Sequence, residues 1–145
     1  MPIMIFSFLR ATIQKLGRPA TTKEVEEEIM QRLPMCTDHT AVHLRELESE
    51  KVVAKKFDKN LKGFVWSIPK PYDRMSFHEM IEKFPQLYKE SLYIYAIYEF
   101  DKTLDFDDVV NILYDLSEGA DTRPGIKAIK DKFAEKFVEK YAKKD

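Results

Sequence analysis

The sequence holds one cysteine, Cys36, so no disulfide framework can organise the fold from within. Its four glycines are scattered, which leaves no glycine-rich loop to cradle a phosphate. No apolar run reaches the length of a membrane span, so no membrane association is expected. The opening MPIMIFSFLR is greasy, but no basic segment precedes it and Arg10 closes it early; it predicts a buried helix rather than a signal peptide. No Ser/His/Asp or Cys/His set is signposted, so no enzyme and no cofactor are expected. With 34% of the residues charged and an ordinary apolar content, a soluble globular protein is expected, with the cytoplasm as its expected location.

A length of 145 residues allows one medium domain or two small ones. The net charge of −1 hides an uneven distribution. Residues 1–70 carry 12 Lys and Arg against 9 Asp and Glu, whereas residues 71–145 carry 12 against 16. A basic half joined to an acidic half points to nucleic acid at one end, with the acidic end facing away from phosphate. The Lys- and Glu-rich composition suggests a thermophile, with an archaeon or an archaeal virus as the expected kind of source.

Apolar spacing predicts a helix over 3–16 with two stripes. Ile5, Leu9, Ile13 and Leu16 form one, and Met4, Phe8 and Ala11 the other. Gly17 and Pro19 stop it. TTKE at 21–24 is a capping-box pattern, with Thr21 as N-cap and Glu24 reaching back, for a helix that turns Val25, Ile29 and Leu33 inward. Pro34 ends that helix, and Thr37 caps a third, anchored by Leu44 and Leu47 with Thr40 and Lys51 on the same face. Period two then takes over: VVAKKFD and FVWSI predict strands around the turn KNLKG, where Asn60 and Gly63 supply tolerant dihedrals. Trp66 is expected to lie over the first helix. IPKPYD reads as a linker, and the remainder as helices over 75–84, 86–100, 106–116 and 124–143, with Asp105 capping the third of these.

Helix, helix, turn, helix and hairpin in this order, with Leu44, Leu47 and the apolar pair Val52–Val53 at the opening of the hairpin, resemble the winged helix-turn-helix family over residues 4–68, in the manner of archaeal transcriptional regulators. The family usually has glycine where this chain has Lys51, which leaves Lys51 to terminate the third helix. The resemblance implies a winged helix-turn-helix domain over 1–69; with the helices read over the remainder, the expected fold is mostly α with a small β-hairpin, and a helical C-terminal domain over 70–145 is expected to close a homodimer. The resemblance also implies sequence-specific double-stranded DNA as partner, with the helix over 37–50 in the major groove and the wing over 52–68 on the backbone. On the groove-facing side stand Asp38, Ala41, Val42, Arg45 and Ser49. Arg45 suits guanine edges, and Ala41 or Val42 thymine methyls. Lys55, Lys56, Lys59 and Lys62 on the wing, flanked by Arg18 and Lys23, suit phosphates. The plainer reading is that surface lysines only protect an edge strand from aggregation. Candidate dimer contacts are Met4, Phe8, Leu92, Tyr95, Ile129, Phe133, Phe137 and Tyr141.

Winged helices also serve as protein–protein modules in larger assemblies. The glutamates of the second helix and the sparse charge of the third suit that alternative, with the helical C-terminal domain as a further surface for a protein partner. Cys36, His39 and His43 have a spacing that can hold zinc, although a buried thiol with two edge histidines explains them more simply. Asp105, Asp107, Asp108 and Asp115 lack the glycine and closing glutamate of a calcium loop and fit helix capping better. Tyr88, Tyr93, Tyr95 and Tyr98 sit among Leu and Ile in the acidic half, where core or interface packing suits them better than base stacking.

Overall fold

The apolar opening forms α1, Pro2–Leu16, and from Pro2 to Leu9 it is buried on every side. A computed structural model of the protein describes residues 2–33, 39–86 and 102–118. A helix enclosed all round must satisfy its own hydroxyls. Ser7 Oγ donates to the Ile3 carbonyl at 2.9 Å, and Thr12 Oγ1 to the Phe8 carbonyl at 2.7 Å. Gly17 closes the helix at φ 70°, a left-handed step that costs glycine no Cβ clash.

The capping box of α2, Thr22–Arg32, forms as the spacing predicts, and Val25, Ile29 and Leu33 are buried. Helix α3, Thr40–Ser49, begins after His39, which makes no side-chain cap bond; Thr37, the expected cap, lies outside the described residues. Thr40, Leu44 and Leu47 are buried as expected, whereas Lys51 leaves that face and is exposed. It adopts φ 63°. The Lys51 amide donates to Glu48 O at 2.9 Å and the Val52 amide to Leu47 O at 3.1 Å, so the helix ends in a Schellman motif with lysine at the glycine position.

Strands β1, Ala54–Asp58, and β2, Gly63–Ser67, pair antiparallel with Phe57 opposite Phe64 and Lys55 opposite Trp66. Val52 and Val53, expected to open the first strand, precede it and are buried. The turn differs from expectation. Neither Asn60 nor Gly63 takes a positive φ; the left-handed step falls on Lys62, at φ 51°. The cause is Asp58, whose Oδ1 accepts from the Asn60 and Leu61 amides at 2.8 and 3.0 Å and fixes the first half of the turn in a right-handed bend. Trp66 is buried in the cluster that includes α1 and is anchored at the start of α2. Its Nε1 donates to Thr22 Oγ1 at 2.9 Å, and Ala20 pairs with it through two backbone bonds of 3.1 and 2.7 Å.

A 3-10 turn, Tyr72–Arg74, follows the cis Lys70–Pro71 peptide and leads to α4, Phe77–Lys83, whose capping box joins Ser76 and Glu79. Helix α5, Phe106–Glu118, is capped by Asp105, whose carboxylate accepts from the Asp108 amide at 3.0 Å. Phe77, Met80 and Ile81 of α4 and Val109, Val110 and Ile112 of α5 belong to the same buried cluster as α1, α2 and α3. The boundary expected at residues 69/70 therefore crosses one continuous core. Phe8 meets Phe106 edge-on at 5.0 Å, and Arg32 lies over both rings while pairing with Asp107.

This packing corrects one expectation. Met4 and Phe8 are 0% exposed within a single chain, so the second stripe of α1 is core and not dimer surface. Leu92, Tyr95, Ile129, Phe133, Phe137 and Tyr141 lie outside the described residues, as do most of the helix expected over 86–100 and all of that over 124–143. Among the described residues the protein is mostly helical with a two-stranded antiparallel sheet, and no helix there is long and apolar enough to cross a membrane.

Candidate nucleic-acid interface

A five-residue strand of sequence AKKFD has little to bury, and β1 is exposed from Ala54 to Phe57. Lys55, Lys56, Lys59 and Lys62 all stand in solvent, and none of them has an ion-pair partner among the described residues. Asp58 is the one carboxylate on the hairpin, and the turn amides occupy it. Lys55 Nζ lies 4.4 Å from the centre of the Phe64 ring and 5.7 Å from that of Trp66, which holds its ammonium over an aromatic face.

Arg18, expected beside this surface, is engaged elsewhere. Its guanidinium forms two bonds with Glu24, at 3.0 and 2.7 Å, and a third with its neighbour's carbonyl, Pro19 O, at 2.9 Å. Glu24 therefore serves the capping box and the ion pair at once. The bond from Arg18, followed by those from Thr21, holds its carboxyl at about 2, well below the usual carboxylate range. Arg18 is itself more basic than usual, through the Glu24 bond first. Lys23 is exposed and has no bonded partner among the described residues.

On α3 the expected groove-facing residues are accessible in varying degree: Val42, Arg45 and Ser49 are exposed and Ala41 is half-buried. The Ser49 hydroxyl donates back to Glu46 O at 2.6 Å, so its proton is used within the helix. Glu46, Glu48 and Glu50 are exposed towards the C-terminal end, where the helix dipole is already negative. Only the N-terminal half, up to Arg45, is free of carboxylates. Asp38 lies outside the described residues.

His39 is exposed, and His43 Nδ1 lies 3.3 Å from Glu46 Oε2. Among the described residues no group of three or more metal-ligating side chains comes together; Cys36 is not among them.

Sequence reading missed Phe57, Leu61 and Phe64, three large apolar side chains exposed on the hairpin. The phenylalanines form an edge-to-face pair with ring centres 5.6 Å apart. Their opposition follows from a four-residue loop over 59–62, and that loop length was the signal available in the sequence. Comparison with protein-family models, with curated proteins and with solved structures finds no match for this chain.

Proposed function

We propose that the chain is a winged helix-turn-helix protein that binds double-stranded DNA and works as a dimeric regulator, with the hairpin as its wing and primary phosphate contact. One observation carries this reading: four lysines without carboxylate partners on an exposed hairpin. Phosphate charge dominates non-specific affinity for duplex DNA, and a mobile ammonium suits it without demanding planar geometry. Arg45, with Ala41 and Val42, is the part of α3 fit to reach base edges, because the carboxylates lie farther along the helix. Arg18, bonded to Glu24, contributes no free charge to this surface. The pairing surface is assigned to the helical C-terminal domain.

The test is binding to a random duplex across salt concentrations, for the native protein and for the quadruple variant K55Q/K56Q/K59Q/K62Q. The native protein should lose affinity steeply with salt. The variant should lose roughly three to four units of the log–log slope, at about 0.9 per phosphate contact. A shallow native slope, unchanged in the variant, would discard the DNA reading. It would favour a protein–protein module, for which the exposed Glu46, Glu48 and Glu50 on α3 are the supporting observation. A solution mass of one chain at binding concentrations would remove the dimer.

A further inference from the structure

We propose that Phe57 and Phe64 form a stacking platform for nucleic-acid bases, so that the hairpin prefers DNA with unpaired or extruded bases to an intact duplex. The inference rests on the nucleic-acid reading above and adds the class of DNA that the wing selects.

Single exposed apolar residues are ordinary on a protein surface, but here two large exposed rings touch each other across one hairpin. Phe57 is 53% exposed, Phe64 54% and Leu61 42%. The two rings sit opposite each other across the strands at an interplanar angle of 78°. Lys55 over the Phe64 ring helps to hold the arrangement before any partner arrives. Lys55 lies against the Phe64 ring and Lys59 and Lys62 stand in the adjoining turn, while Lys56 points to the other face of the strand; an occupant of the rings therefore carries negative charge and offers flat apolar faces. Unpaired bases on a phosphate backbone meet both demands, and every base has a face on which an aromatic ring can stack. Within an intact duplex those faces are already covered by neighbouring bases, which is why the preference falls on flaps, bulges and ends.

An anionic lipid surface is the competing occupant, and the order of residues disfavours it. Lys59 and Lys62 lie in the turn, farther out along the hairpin than the phenylalanines. Sinking the rings below the headgroups would carry those two ammonium groups down with them, at a cost that membrane proteins avoid. Stacking on a base from the side leaves both lysines on phosphates.

The test uses the full chain in fluorescence anisotropy, with a blunt duplex, the same duplex bearing a single-stranded dT flap, and vesicles of phosphatidylcholine with phosphatidylserine. The flapped duplex should bind roughly tenfold more tightly than the blunt one, the scale of one base–aromatic stack. F57A/F64A should erase that preference, so that the flapped and blunt duplexes bind the variant alike. F57L/F64L, which keeps apolar area but removes the ring faces, should lose it too. Equal native affinity for both duplexes, or a preference that survives in F57L/F64L, overturns the stacking platform alone. Vesicle binding stronger than binding to the flapped duplex overturns it in favour of lipid. No binding to either DNA at low salt overturns the DNA reading and this inference together.

Discussion

Two lysines hold positive φ among the described residues, Lys51 at the end of α3 and Lys62 in the hairpin turn. A side chain with a Cβ in that region costs about 1–2 kcal/mol, and the surrounding hydrogen bonds must offset it. At Lys51 those bonds are the two of the Schellman motif, backed by burial of Val52 against the core. Glycine would keep both bonds and remove the clash, although it gives back some of the gain through the freedom of the unfolded chain. Lys51→Gly should therefore stabilise the protein by about 1 kcal/mol, seen as a rise of roughly 3–4 °C in thermal unfolding. No rise would show that the lysine side chain makes a compensating contribution at the helix end.

At the scale of the element, the start of α2 depends on one carboxylate with two tasks. Glu24 bonds the Thr21 amide at 3.0 Å and both nitrogens of the Arg18 fork. Its carboxyl is held at about 2, against an ordinary 4.5, so the charged form is favoured by folding. A depressed acid of this kind contributes stability that is fully present above pH 4.5 and lost as the pH falls towards 2. Glu24→Gln should cost about 1 kcal/mol at neutral pH, the scale of a cap with a partly exposed ion pair. The difference between native and variant should shrink across that acid window; denaturant titrations at several pH values would read it, and a constant difference would contradict the ion pair. The elements themselves were legible because their signals are local. TTKE announced the α2 cap, Leu44 and Leu47 the core face of α3, and the change from period 3.6 to period 2 the hairpin. The lysines of the hairpin were legible for the same reason. The neutralisation of Arg18 was not, because it depends on how the turn after α1 swings that side chain onto Glu24. The Phe57–Phe64 pair was hidden by register, which a single-residue change in loop length would have altered. Met4 and Phe8 were misplaced because the partner of Phe8 is Phe106, far along the chain and beyond the reach of any periodicity argument.

For the molecule as a whole, the continuity of the core matters more than the change in composition near residue 70. Helix α1 is enclosed by α2 and α3 together with Phe77, Phe106 and their neighbours. A fragment ending at residue 70 would uncover Phe8 and part of the apolar surface around it. Losing the packing of a single buried phenylalanine costs about 3–5 kcal/mol, a large part of the 5–15 kcal/mol that keeps a typical domain folded. The fragment is expected to lose its cooperative denaturant transition; a sharp transition, with the midpoint of the intact chain, would mean that residues 71–145 are dispensable for folding. Weaker DNA binding by such a fragment would then reflect unfolding as much as loss of pairing, so the dimer is better tested on the intact chain.

The protein has a single tryptophan, Trp66, buried at the root of the hairpin with Lys55 across from it and Phe64 two residues before it on the same strand face. Its indole is therefore a built-in optical gauge: light absorbed selectively by that ring returns a colour and brightness set by the neighbourhood of the hairpin. Whatever settles on Phe64 and draws Lys55 away from the rings alters that emission, so occupancy can be followed without attaching a dye.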